Sequence, residues 1–274
     1  MNEREQILEV RDLRKSYAIA TRAIHRAEGD PSPPAAGIIG VDGVSFSLAP
    51  GETLGIVGES GCGKTTLART LLRLIEPDSG EMRFRGQDWR GAHGAELRAL
   101  RRRIQMVFQD PIASLNARMR VGAIVGEPLA IHEPGLSRSE RHARTAKMME
   151  AVGMGAEALE RYPHEFSGGQ RQRIGIARAL ILGPELVVAD EPVSALDVSI
   201  GAQILELLDR LRRELSLTLI LISHSLPVVA QLATRVSVMQ AGRFVESGSA
   251  DQVLQAPRHP YTQALIAAVP EIPS

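Results

Sequence analysis

Apolar and polar positions in this chain alternate between two periods. Short apolar runs bounded by turn residues predict strands, and apolar positions three or four apart predict helices. Ile7 to Leu13, with Leu8, Val10 and Leu13 apolar, predicts a first strand. Gly29, Pro31, Pro33, Pro34 and Gly37 then mark an irregular loop. Val41 to Leu48 sets Val44, Phe46 and Leu48 against polar neighbours, the pattern of a half-buried strand. Pro50-Gly51-Glu52 turns the chain into an apolar-rich run, Leu54 to Val57. Leu67, Ala68, Leu71 and Leu72 follow at helical spacing. Pro77-Asp78-Ser79-Gly80 is a turn. It leads to a short strand carrying Met82 and Phe84, a helix over Glu96 to Arg103, and a strand from Ile104 to Phe108. Arg98, Arg101, Arg102 and Arg103 read as the solvated face of that helix.

From Ser114 to Pro163 strand-like runs are scarce. Helices are predicted over Val121 to Leu129 and Arg138 to Val152, so this stretch reads as a helical insertion. His132, His142 and His164 lie here or at its edge, without ligand-like spacing, and read as surface or packing residues. Phe166-Ser167-Gly168-Gly169-Gln170 opens a helix reaching Leu182, with Ser167 as its cap. Leu186 to Ala189 is a strand, Ser199 to Leu215 a helix, and Leu217 to Ile222 a strand. Gln240 to Arg243 turns a hairpin, and short helices over Asp251 to Leu254 and Tyr261 to Val269 close the chain. Strands alternating with helices imply an α/β fold around a parallel sheet. Ligands of such sheets bind beyond the C-terminal strand ends. Lys64, Gln109, Asp190 and His224 all follow apolar strands at such ends.

The residues at those ends carry chemistry. Gly58-Glu59-Ser60-Gly61-Cys62-Gly63-Lys64-Thr65 fits G-x-x-x-x-G-K-[ST], between a buried strand and a helix start. A helix N-terminus presents unpaired N–H groups and the positive end of its dipole, and the glycines let several N–H groups face one anion. Lys64 reaches β- and γ-phosphates in such a loop, and the Thr65 hydroxyl suits Mg²⁺. Thr66 completes the cofactor-binding set at the head of the helix. Ser167-Gly168-Gly169 repeats the anion-binding arrangement at a second helix. Asp190 is placed to hold Mg²⁺ and Glu191 to take a proton from water. His224 is either structural or, at this sheet edge, placed to reach a γ-phosphate, and Tyr17, just past the first strand, either packs or stacks on adenine.

Composition narrows the classes. The 274 residues hold 32 basic and 32 acidic side chains, so the net charge is zero and a nucleic-acid partner is not expected. No apolar stretch is long enough for a membrane span. Met1 to Gln6 is charged and lacks the apolar segment of a signal peptide. Cys62 is the single cysteine, so no intrachain disulfide forms, and it reads as a small side chain in a tight loop.

Taken in order, these motifs resemble the ATP-binding-cassette (ABC) ATPases over nearly the whole chain. Gly58 to Thr65 matches the Walker A motif, Leu186 to Glu191 Walker B, and Phe166 to Gln170 the signature, with Phe in place of the usual Leu. Gln109 matches the Q-loop, Ser194 to Asp197 the D-loop, His224 the switch histidine and Tyr17 the adenine-stacking aromatic. Asp110-Pro111, Ser114-Leu115-Asn116, Glu191 to Ser199 and His259-Pro260-Tyr261-Thr262 resemble the dipeptide and oligopeptide importer subfamily, which includes nickel and glutathione importers. Some of its members carry an iron–sulfur cluster, which a chain with one cysteine cannot form. Ser225 departs from the usual Asp after the switch histidine, and Gln240 from a common Tyr. A Ser cap is expected to keep the helix start.

The resemblance implies a P-loop cassette with a RecA-like core, an antiparallel β subdomain and an inserted helical subdomain. Its divisions are expected at 1–112, 113–166, 167–255 and a tail at 256–274. It implies ATP and Mg²⁺ as cofactors and two cassettes, identical or different, facing head to tail. Glu191, His224 and Gln109 would be catalytic, and Thr65, Gln109 and Asp190 would serve the metal. Ser167, Gly168, Gly169 and Gln170 would close on the partner's ATP. Two membrane permease subunits, an external solute-binding protein acting indirectly, and a place on the cytoplasmic face of the membrane follow. The alternative is the ATPase of a soluble enzyme complex such as phosphonate breakdown.

Overall fold

The computed structural model describes residues 6–17 and 38–268. The loop expected over residues 29–37 and the helix end expected at Val269 lie outside them. An antiparallel sheet is built from β1 (Leu8–Tyr17), β2 (Ile38–Leu48), β4 (Ser79–Phe84) and β5 (Gln87–Asp88), in the order β2-β1-β4-β5. The second sheet is built from β3 (Thr53–Val57), β6 (Ile104–Val107), β7 (Leu186–Asp190), β8 (Thr218–Ser223), β9 (Arg235–Gln240) and β10 (Arg243–Ser249). Its order is β10-β9-β3-β8-β7-β6, parallel except for the β9–β10 hairpin. β3, β7 and β8 are buried along their whole length, which is why they read as continuous apolar runs rather than alternations.

The helices are α1 (Lys64–Leu71), α2 (Gly94–Arg103), α3 (Pro111–Ser114), α4 (Val121–His132), α5 (Arg138–Ala151), α6 (Gly168–Leu180), α7 (Val198–Glu214), α8 (Leu226–Leu232), α9 (Ala250–Gln255) and α10 (Pro260–Ala267). Two hydrophobic cores result. One sets α1 and the antiparallel sheet against Leu54, Ile56, Val188, Ile220 and Ile222, with Trp89 and Phe84 fully enclosed. The other joins the opposite face of the parallel sheet to α4, α5, α6 and α7. The helices of the insertion therefore share a core with the signature helix α6. No described helix is long and apolar enough to cross a membrane.

Two expectations change, and a third gains partners. β1 runs on to Tyr17, four residues beyond Leu13, because pairing with β2 continues to Tyr17–Ile38. α4 continues past Pro128 to His132. The arginine face of α2 is solvated at Arg98, Arg101 and Arg102, as expected, but most of it is also partnered. Arg101 donates to the carbonyl of Arg73 (2.8 Å), Arg102 pairs with Glu133 (2.7 Å), and Arg103 pairs with Glu185 while lying over Phe84. The partners Glu133 and Glu185 sit beyond α4 and before β7, so three of the four arginines tie α2 to distant segments.

Candidate nucleotide site

The loop between β3 and α1 is built by close approach. Gly63 sits at φ 112° as the cap of α1, and a Cβ there would lie 2.0 Å from the carbonyl oxygen of Gly40. At Gly58 a Cβ would lie 2.2 Å from the carbonyl oxygen of Met239. Both positions are closed to any side chain. The Lys64 ammonium is buried and donates to the carbonyls of Gly58 and Glu59, both at 2.8 Å. Gly242 at the β9–β10 turn donates to the Cys62 carbonyl (2.8 Å). Burial pushes the Cys62 thiol up, with the Lys64 ammonium opposing it only in part, so the side chain stays a neutral thiol. That agrees with its reading as a small loop residue.

The strand-end residues converge on one another. The Thr65 hydroxyl donates to Asp190 Oδ1 (3.3 Å). Asp190 is buried, and its carboxyl is pushed up chiefly by that burial, with the neighbouring Glu191 charge adding to it and Thr65 opposing. Glu191 occupies the left-handed region at φ 47°, its amide bonded to the carbonyl of Ile222 at 2.9 Å. Asp12, Arg73, Arg85, Ser216 and Ala241 share this region among the described residues, so it is the contacts of Glu191 that set it apart. Gln109 Nε2 donates to Glu191 Oε2 (3.2 Å), and His224 Nδ1 lies 3.0 Å from the same oxygen. Three strands thus deliver Gln109, Glu191 and His224 to one carboxylate.

Tyr17 is placed differently. It pairs with Ile38, and Gly40, two residues along β2, packs on the side chain of Thr66. The Lys15 ammonium lies 5.8 Å from its ring centroid, and the ring is 37% exposed. Ser167, Gly168 and Gln170 are exposed and lie outside the hydrogen bonds of the strand-end cluster. Ser167 and Gln170 form a capping box: Gln170 N donates to Ser167 Oγ (3.3 Å) and Ser167 N to Gln170 Oε1 (3.0 Å). The exposed Ser167 hydroxyl acts in this box as an acceptor. Gly169 packs on Ile200 and Gly168 on Leu196, so the signature rests on the D-loop and α7. Phe166 is buried under the guanidinium of Arg161.

Three contacts were not anticipated from sequence. Arg178 on α6 lies over Phe108 and donates to the Ser114 carbonyl (2.5 Å), linking the signature helix to the chain on both sides of Gln109. Asp78 binds Lys15 and Ser16 just before Tyr17. Tyr261 of α10 accepts a hydrogen bond from Glu59 N at 3.1 Å. The Pro-Asp-Ser-Gly turn and the His-Pro-Tyr-Thr motif were the available signals for the last two.

The family profile described as ABC transporter matches residues 41–194. A second, the C-terminal region of oligopeptide and dipeptide transporters, matches residues 245–274. The chain is 50% identical to the oligopeptide transport ATP-binding protein AppF of Bacillus subtilis, over 97% of this chain and 79% of that protein. It is 50% identical to OppF of Salmonella typhimurium, over 98% of this chain and 79% of that protein. The dipeptide transport ATP-binding protein DppF of Escherichia coli is 53% identical over 85% of this chain and 69% of its own length. Among solved structures, the dimeric ATP-binding cassette MJ0796 with ADP and Pi superposes with a TM-score of 0.75 at 26% identity, covering 89% of this chain and 98% of that one. The chain belongs to the ABC transporter family, as one of its ATPase cassettes.

Proposed function

We propose that this chain drives a peptide importer, binding ATP at Lys64 and hydrolysing it at Glu191. The convergence of Gln109 and His224 on Glu191 Oε2 carries the reading. Backbone amides of Gly61, Gly63, Lys64 and Thr65 line the head of α1 and hold the phosphates, and the Lys64 ammonium, held by the two loop carbonyls, neutralises them with its third donor. Ser60, Cys62 and Thr66 complete this wall, and Tyr17 stacks on the adenine. Glu191 takes a proton from the attacking water, with Gln109 and His224 fixing the carboxylate and His224 facing the γ-phosphate. Most of the acceleration is positioning and electrostatics.

Thr65 and Asp190 suit Mg²⁺: a hydroxyl and a buried carboxylate meet there, and a cation would compensate the Asp190 charge that burial disfavours. The ion would neutralise phosphate charge, and Gln109 would be a further oxygen donor to it.

The exposed Ser167 hydroxyl and the Gly168 amide have no nucleotide of their own to meet, which supports completion of a second cassette's site across a dimer. That partner is a copy of this chain or a different ATPase. An open groove of about 810 Å³ beside Gln109, lined by Leu72, Leu74, Phe108 and Ile131, suits cytoplasmic helices of two permease subunits. We place the chain at the cytoplasmic face of the membrane, served indirectly by an external binding protein. The divisions at 1–112, 113–166, 167–255 and 256–274 follow the same reading. The match of the C-terminal region to peptide transporters, and the names of the relatives, favour an importer over a soluble phosphonate-breakdown complex.

Purification from native membranes tests the assignment. Two membrane subunits should accompany the chain, and reconstituted vesicles should accumulate labelled peptide only with ATP. Lys64→Ala should abolish accumulation. Soluble enzymes in place of membrane subunits would overturn it.

A further inference from the structure

The Walker A loop is held from outside by the C-terminal segment. Tyr261 accepts the hydrogen bond of Glu59 N at 3.1 Å. That N–H belongs to the same peptide group as the Gly58 carbonyl, which receives the Lys64 ammonium at 2.8 Å. The Glu59 carbonyl receives Lys64 as well, and also the amide of Cys62 (3.3 Å). One tyrosine hydroxyl therefore terminates a chain of bonds that runs through a single peptide plane to the phosphate-binding ammonium. Chains of this kind polarise one another and fix orientation.

Tyr261 is itself held. Glu246 on β10 accepts the amides of Arg258 (2.8 Å) and His259 (3.1 Å), anchoring the start of α10. Burial raises the titration of this carboxylate, but Thr262 and the two backbone amides outweigh it and hold it below the ordinary range. His259 Nδ1 accepts the amide of Tyr261 (3.2 Å), and the ring packs on the core beneath the parallel sheet. The same hairpin donates Gly242 N to the Cys62 carbonyl. The loop is gripped at two points by one unit: β10, its turn and the segment that follows.

We propose that Tyr261 is a positioning residue of the ATP site. It fixes the Gly58–Glu59 peptide, and through it Lys64, so that the C-terminal segment sets the affinity for ATP. This rests on the reading of Gly58 to Thr65 as the ATP-binding loop. A loop that samples other peptide orientations binds with its affinity reduced by the fraction that is competent.

Tyr261→Phe in the full chain removes the hydroxyl and keeps the ring. ATP hydrolysis kinetics, binding of a fluorescent ATP analogue and thermal unfolding are measured on one preparation. The expected result is a KM for ATP and an analogue Kd raised about fivefold, the worth of one intramolecular hydrogen bond. kcat should stay within about twofold and Tm within about 2 °C. Unchanged or tighter ATP binding would overturn the proposal, whatever the Tm, because a residue that only packs α10 would move stability alone. Lys64→Ala measured alongside separates the two ideas. If Lys64→Ala loses ATP and Tyr261→Phe does not, only the role of Tyr261 fails. If Lys64→Ala binds ATP as the parent does, the reading of the loop fails.

Discussion

Asp78 accepts three hydrogen bonds, from the Lys15 ammonium (2.8 Å) and from the amide and hydroxyl of Ser16 (both 2.7 Å). It thereby fixes the end of β1 that presents Tyr17. The Lys15 bond first, and the Ser16 bonds after it, hold its carboxyl down to about 2. A depressed carboxyl stabilises the fold above its unfolded pKa of about 3.9 and loses that contribution as pH falls toward about 2. Asp78→Asn should therefore lower Tm at pH 7, and the gap to the parent should narrow below about pH 4. Thermal unfolding across pH 3 to 7 checks this; a gap that does not change with pH would contradict it. The same residue shows a limit of sequence reading. Asp78 was legible as a turn former, but its partners lie more than sixty residues earlier. Tyr261 and Glu59 are 202 residues apart, and no local pattern pairs them. Lys64, Gln109, Asp190 and His224 were legible because each ends a buried apolar strand, and a parallel sheet aligns such ends on one edge.

Among the elements, α8 most clearly separates expectation from structure. It begins after the switch histidine, where Ser225 was expected to cap it. The helix forms, but the Ser225 side chain makes no cap bond. Its amide instead donates to Ser223 Oγ (3.0 Å), and Pro227, second in the helix, has no N–H to satisfy. Burial of Leu226, Val229 and Leu232 stabilises α8 in place of a cap. Ser225→Asp should add a carboxylate acceptor for the amide of Val228 and a favourable charge at the dipole's positive end. Tm should rise by about 2–4 °C with ATP turnover retained. An unchanged Tm would show that the backbone here cannot present a cap. α2 teaches a related lesson. Its arginine spacing gave a helix but not its partners, because Glu133 and Glu185 lie 31 and 82 residues further along the chain from Arg102 and Arg103. α3, four residues long, carries too little pattern to be read at all.

Across the whole molecule, the parallel sheet separates two cores and gathers the chemistry on one edge. β3 supplies the phosphate loop, β7 the carboxylates, β8 the histidine, and β6 leads to Gln109. The signature helix α6 leaves that edge. It is tied to the Q-loop strand by Arg178 and to the D-loop by Gly168, and its exposed start serves a neighbouring cassette in the proposed function. Fold class and the strand-end motifs were visible in the periodicity. The grip of the C-terminal segment on the Walker A loop was not, since it depends on where β10 delivers α10. The account as a whole rests on Glu191 as the group that activates water. Turnover and bound nucleotide in Glu191→Gln, beside the parent and with Mg²⁺ and ATP, test it most directly. Hydrolysis should fall roughly a hundredfold or more, with intact ATP retained on the protein. Hydrolysis at the parent's rate would contradict the account.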